Sequence, residues 1–222
     1  MDRLNREKGW KPLNYLDDGT RFESKIIAGK DLSALKVSRV TDVPPHFIRD
    51  VIMDLDHYGE FLSNANTLNS AVHKITDEYV EGYQHIQVAL PFFSDRQYCF
   101  RMTTYEWPQD SSNVLVEWYL LDKEGDYASY LKQHDPQAVY LDIGAGAWST
   151  KATVEGRFEI SYRLYMGSGG SIPDFLTQRV NAISIINLFQ DALAEAGRRM
   201  KAQDQPKLNN PPNTTGLKSY RF

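Results

Sequence analysis

With 222 residues, 41% of them hydrophobic, the chain is long enough for one sizeable core and short for two. Its 25 Lys and Arg against 29 Asp and Glu leave a net charge of −4, the wrong sign for a surface built to lie along phosphates, so nucleic acid is excluded as a partner class. A single cysteine, Cys99, rules out an intrachain disulfide and a thiolate metal cluster, and reads as a small apolar filler in a strand.

The stretch Met1 to Pro12 carries charges and no apolar run of signal-peptide length, and nowhere do about 18 apolar residues follow one another. The expectation is a soluble chain, cytoplasmic by default, or periplasmic if an export signal has been removed. Residues 1–8 read as an extension ahead of one domain over 9–200. Arg21 to Ile27 and Ala34 to Thr41 each follow a turn signal, Asp17-Asp18-Gly19 and Gly29-Lys30-Asp31, and form a first hairpin. Pro44 and Pro45 suit the opening of a short helix over His46 to Leu55, where a missing N–H costs nothing. A second short helix follows over Tyr58 to Leu62.

Period-two patterns then predict strands over Leu68 to Ile75, Val80 to Leu90, Arg96 to Trp107, Val114 to Leu121, Trp148 to Val154 and Arg157 to Met166, joined in antiparallel order. Each carries one apolar side. Ile86 and Val88 alternate with His85 and Gln87, which are assigned to the wet face. Tyr98, Phe100 and Met102 share a face of their strand, as do Val116 and Trp118 of the next. The last strand is the cleanest, with Phe158, Ile160, Tyr162 and Leu164 opposite Glu159, Ser161 and Arg163. Together these faces make the greasy inner surface of a curved sheet.

Asp122 to Ala147 is too long for a hairpin loop. It holds Tyr127, Tyr130, Leu131, Tyr140 and Ile143 and ends in Gly144-Ala145-Gly146, so it reads either as a glycine-hinged lid or as an insertion packed on the sheet edge. After the breaker Gly167 to Ser171, with Pro173 in the first turn, one long helix runs to Met200. At 100° per residue Phe175, Ala182, Ile183, Ile186, Phe189 and Leu193 fall on one side, with Arg179 and Gln190 within it. Lys201 to Phe222 is polar and proline-rich and reads as a flexible tail.

The fold class is therefore α+β, a curved antiparallel sheet wrapped around a long C-terminal helix, with two short helices in the first third. Three sets of residues carry a resemblance to a known family. Gly9-Trp10 with Asp18-Gly19-Thr20, then Leu90-Pro91-Phe92-Phe93-Ser94-Asp95-Arg96-Gln97-Tyr98, then Gly169-Gly170-Ser171-Ile172-Pro173-Asp174-Phe175-Leu176 resemble the opening, middle and closing signatures of the START lipid-transfer family. Leu55 to Leu62 is similar instead to a motif of the polyketide cyclase and coenzyme-Q-binding families. The set points to a bacterial-type START domain in the Bet v 1-like superfamily, with a helix-grip fold. The resemblance implies a tunnel between sheet and helix for a sterol, phospholipid, isoprenoid or other apolar metabolite.

The ligand-binding expectation rests on Ile86, Val88, Tyr98, Phe100, Met102, Val116, Trp118, Phe158, Ile160, Tyr162 and Leu164 from the sheet. The helix adds Phe175, Arg179, Ile183, Ile186 and Gln190. The chain departs from the family at two places: Met102 stands where some relatives carry a cavity arginine, and Gln97 replaces an aspartate, so Arg96 is assigned a structural role, bonding backbone or a loop acid. His46, His57, His73, His85 and His134 are scattered and assigned to the surface. With no nucleophile elbow, phosphate-cradling loop or metal-ligand spacing, neither catalytic residues nor a metal or cofactor is expected. The chain should be a monomer that meets membranes transiently, with a cyclase-like enzyme and a scaffold with a filled cavity as the alternatives.

Overall fold

The computed structural model describes residues 1–204 apart from 65, 89–92, 108–109, 124–126, 128–130, 132–133, 168 and 171. A four-residue helix α1 (Asp2–Asn5) precedes the edge strand β1 (Lys11–Tyr15), then β2 (Arg21–Ile26) and β3 (Ser33–Thr41). Helix α2 (Pro45–Met53), a 3-10 turn (Leu55–His57) and α3 (Tyr58–Phe61) lead into β4 (Leu68–Ile75), β5 (Val80–Ile86), β6 (Arg96–Trp107) and β7 (Asp110–Leu120). The short β8 (Val139–Tyr140), β9 (Gly144–Ala152) and β10 (Phe158–Met166) follow, and the 31-residue helix α4 (Asp174–Asp204) ends the described chain. The tail expected from Lys201 falls outside the described residues from 205 on, and 201–204 are the last turn of α4.

Strand order is β1-β2-β3-β10-β9-β7-β6-β5-β4, antiparallel throughout, with β8 lying parallel to the start of β6. β10 joins the two halves by pairing with both β3 and β9. This is the helix-grip architecture that the alternation in β10 and the long helix predict. β1 escaped the sequence pattern because it is exposed throughout and carries Pro12, which only an edge strand tolerates. The glycines read as lid hinges belong instead to β9, where they face side chains too large for a neighbouring Cβ. At Gly146, paired with Trp118, a Cβ would lie 2.5 Å from Trp118 Cε2.

α4 closes the concave face against β3 and β10, and its C-terminal half is clipped to the short helices. Arg199 donates to Asp54 at 2.7 Å and to Glu195 at 2.7 Å, and Asp191 accepts from the Ser63 backbone N–H at 2.7 Å. Phe189, fully buried, stacks on Trp148 with centroids 5.7 Å apart, and Trp148 stacks on Tyr162 at 4.2 Å. Ring pairs of this kind add to the burial of their area.

The opposite face of β10 is not wet, as the alternation suggested. Ser161 and Arg163 are buried, Ser161 bonding Ser149 at 2.9 Å and Arg163 lying against residues 1–8, the segment read as an extension. Arg163 bonds Glu7 at 2.9 Å, and Lys25 Nζ donates to the carbonyls of Arg3 at 2.8 Å and Arg6 at 2.7 Å, satisfying the end of α1. Leu4, Ile27 and Ala34 form the small apolar core beneath this cover.

Candidate functional site

Between the concave face and the N-terminal half of α4 lies a cavity of about 200 Å³. Its sheet wall comes from inward-alternating positions of β5, β6, β7, β9 and β10, namely Gln84 and Ile86, Arg96, Tyr98, Phe100 and Met102, Trp118, Trp148, and Tyr162, Leu164 and Met166. Val88, Leu141 and Gly167 complete that side, and Tyr58 of α3 plugs one end. The helix side is Ile172, Leu176, Thr177, Val180, Asn181, Ser184, Ile185 and Leu188. Glycine shapes this wall too. A Cβ at Gly82 would stand 2.7 Å from Phe100 Cζ and 2.8 Å from Leu55, so the bare backbone is what lets the Phe100 ring lie flat across β5.

Eight of the sequence-predicted positions, Ile86, Val88, Tyr98, Phe100, Met102, Trp118, Tyr162 and Leu164, are brought together on this wall. Val116 and Ile160 are fully buried in the core beyond it, and Phe158 and Ile186 pack against that core. On α4 the structure corrects the helix face. Phe175 is 71% exposed and Ile183 52%, Arg179 is exposed, and Gln190 bonds Asp18 at 2.9 Å outside the cavity. The line through Phe189 and Leu193 does face the sheet. Further toward the N-terminus, however, the cavity meets the flank holding Thr177, Asn181, Ser184 and Leu188, about 130° around from that line at 100° per residue. Small and polar residues line that flank because the helix there spans a void rather than pressing on side chains. A search for large apolar residues passes over them; the four-residue spacing of Leu176, Val180, Ser184 and Leu188 was the available signal.

The polar groups of the wall are few and mostly committed. The Tyr58 hydroxyl donates to the Ile52 carbonyl at 2.6 Å, the Tyr98 hydroxyl donates to Gln84 Oε1, and Asn181 donates to the Met166 carbonyl at 2.8 Å. Burial pushes the phenols of Tyr58, Tyr98 and Tyr162 well above their ordinary range, so all three stay protonated. Arg96, 6% exposed, donates to the Ser94 carbonyl and reaches the Gly169 carbonyl at 3.4 Å, and burial lowers its pKa from the usual guanidinium value. It is the one cation among the described lining residues, which include no carboxylate and no imidazole. The backbone bonding expected of Arg96 is present, and its guanidinium also borders the cavity.

Of the described residues of the long segment 122–147 only Leu141 lines this cavity; Tyr127 and Leu131 pack on the opposite face of β5 and β6, and Gly144 to Ala147 belong to β9. Leu131 is buried against Tyr83 and Cys99, Tyr127 donates to Glu81 and meets the His73 ring at 5.2 Å, and Gln97 Nε2 donates to the Asp135 carbonyl at 2.7 Å. Cys99 behaves as filler, its thiol pushed up to about 12 by burial. The lid reading is thus replaced by a packed insertion, since these apolar residues find a dry surface on the convex side. Tyr130 lies outside the described residues.

No family model matches the chain, and no curated protein matches it. Solved structures do. A fragment of the STAR-related lipid transfer protein from Xanthomonas axonopodis aligns at a TM-score of 0.70 and 14% identity over 85% of this chain and 99% of that one. Human STARD10 aligns at 0.70 and 14% over 91% of this chain and 78% of that one. The Zhui aromatase/cyclase from Streptomyces sp. R1128 aligns at 0.51 and 13% over 77% and 97%. At these identities the likeness is one of backbone, and the chain has the START-type helix-grip fold.

Proposed function

We propose that this chain binds one compact hydrophobic molecule in the cavity between its sheet and α4, and hands it on without chemical change. The observation that carries the reading is the wall itself: rings of Tyr, Phe and Trp around about 200 Å³, with tyrosines held protonated and neither carboxylate nor imidazole among the described lining residues to act as a base at neutral pH. The volume is below the roughly 300–1,000 Å³ of common ligand sites. It favours a short isoprenoid or a one- or two-ring metabolite, whereas a sterol or two-chain lipid would need the N-terminal half of α4 to move outward. Arg96 and the Gln84–Tyr98 pair are the groups for a polar end, such as a carboxylate or hydroxyl.

Similarity of fold to lipid transfer proteins supports the same reading. For exchange with a membrane the chain offers Val180, 49% exposed and on the cavity wall, with Phe175 and Ile183 exposed on the same half of the helix. We assign the transient membrane contact to this half-helix.

Uptake of an environment-sensitive apolar dye tests the binding step. The wild-type chain should take up one equivalent, and Leu176→Trp, which places an indole in the cavity, should reduce uptake at least about tenfold, a loss of about 1.4 kcal/mol or more. Ile183→Trp, on the exposed side, should leave it unchanged. Equal uptake by all three proteins would remove the cavity from the account. The Zhui aromatase/cyclase, which shares the fold, keeps a cyclase reading in view; conversion of the bound molecule during incubation would favour it over carriage.

A further inference from the structure

On the face of β5 turned away from the cavity, three side chains from three separate segments converge. His85 Nε2 of β5 lies 3.1 Å from Asp135 Oδ2, in the insertion, and 3.5 Å from Asp95 Oδ2, just before β6. The three ligand atoms all lie within 4.8 Å of one another. Each carboxylate is held by its other oxygen. Asp95 Oδ1 accepts the Val88 N–H at 2.9 Å, and Asp135 Oδ1 accepts the N–H groups of Gln137 at 2.9 Å and Ala138 at 3.2 Å. The backbone thus aims both Oδ2 atoms at one imidazole nitrogen.

We propose that His85, Asp95 and Asp135 form a binding site for a divalent transition-metal ion of the zinc class, which fastens the insertion to the outer face of β5 and β6. The spacing fits. With metal–ligand bonds of about 2.0–2.1 Å at tetrahedral angles, neighbouring ligand atoms stand about 3.3 Å apart, and the two His85 distances bracket that value. One imidazole nitrogen with two carboxylate oxygens is a donor set that first-row divalent ions accept in an order that rises to copper and falls again at zinc. The single Nε2 position can be bonded well to one carboxylate oxygen at a time, whereas a cation would be shared by all three ligand atoms. Beside the site a polar basin of about 400 Å³, bordered by His85, Gln87, Thr67 and Ser70, supplies room for water in the remaining coordination positions. The orienting backbone bonds are the outer support that metal ligands need.

The consequence reaches the cavity. His85 lies between Gln84 and Ile86, and Asp95 adjoins Arg96, all three of them wall residues, so an ion here stiffens the strands that shape the polar end of the cavity.

The test uses the full chain, stripped with a chelator and titrated with zinc chloride by calorimetry. One ion should bind per chain, and His85→Ala and Asp135→Asn should each weaken binding at least tenfold, while His57→Ala, altering an exposed His–Asp pair elsewhere, should not. Unchanged affinity in His85→Ala, or loss in His57→Ala alone, overturns the assignment. A second readout needs no variant: substoichiometric manganese(II) added to the stripped wild-type chain should broaden the amide resonances of Val88, Gln137 and Ala138 first. Uniform broadening, or none together with no heat on zinc addition, would also sink it.

Discussion

Replacing Phe189 by alanine should lower the free energy of unfolding by about 3–5 kcal/mol, the range for deleting a buried aromatic ring. Phe189 has no exposed surface, and it is the member of the Trp148–Tyr162 stack contributed by α4, so its removal opens a void where helix and sheet are pressed together. The denaturant midpoint reports the change, with an unaltered dependence on denaturant confirming that the folded state stays compact. Ile183→Ala, on the same helix but exposed, should stay within about 0.5 kcal/mol of wild type. If the two variants behave alike, the helix is not seated on the face that Phe189 defines. The void also adjoins the cavity through Trp148, so Phe189→Ala should bind the apolar dye with altered affinity even at temperatures where it remains folded.

Gly146→Val should cost about 3 kcal/mol, at the upper end for overpacking. Its effect travels through one side chain. Gly146 pairs with Trp118 across β9 and β7, and the new Cβ would occupy space the indole now fills. Trp118 must then swing toward the cavity, whose wall it forms with Tyr162. Thermal unfolding should therefore shift together with a loss of dye uptake and a change in Trp118 fluorescence, and only the last of these should be absent from Phe189→Ala. Alanine at the same position tests the steric account: it carries the same Cβ, so it should produce most of the effect. A neutral Gly146→Ala would mean that the β7–β9 pairing yields easily and that glycine is not required there.

Much of the architecture could be read from the residues because it depends on local periodicity. Alternation in β10, with Ile160, Tyr162 and Leu164 on one side, identifies a strand whichever partner it finds, and the unbroken run after Pro173 identifies a helix. The inner sheet wall follows from the same rule, since Tyr98, Phe100, Met102 and Trp118 need only know their parity. What each outer face would meet is not a local property. Arg163 and Ser161 read as solvent-facing yet are buried, Arg163 against residues 1–8, and His85 read as a wet-face residue stands between two aspartates 10 and 50 positions along the chain. The insertion held a lid's composition, but only the presence of a dry patch around Tyr83 and Cys99 decided that its Leu131 would pack on the convex side.

The helix divides the same way. Where α4 rests on the sheet, burying apolar area dictates that Phe189 and Leu193 point inward, and their spacing alone announces it. Where it spans the cavity no packing partner selects for size, so Thr177, Asn181 and Ser184 share the inward side with Leu176 and Leu188, while Phe175 and Ile183 face out. By itself the sequence determined the long helix, the periodic strands and their inward parity, though not α1, β1 or β8, because hydrogen-bonded periodicity is written in neighbouring residues. The tertiary structure alone decided the cavity's helix side, the seat of the insertion and the convergence of His85, Asp95 and Asp135, because each depends on surfaces that meet only after the sheet has curved around the helix.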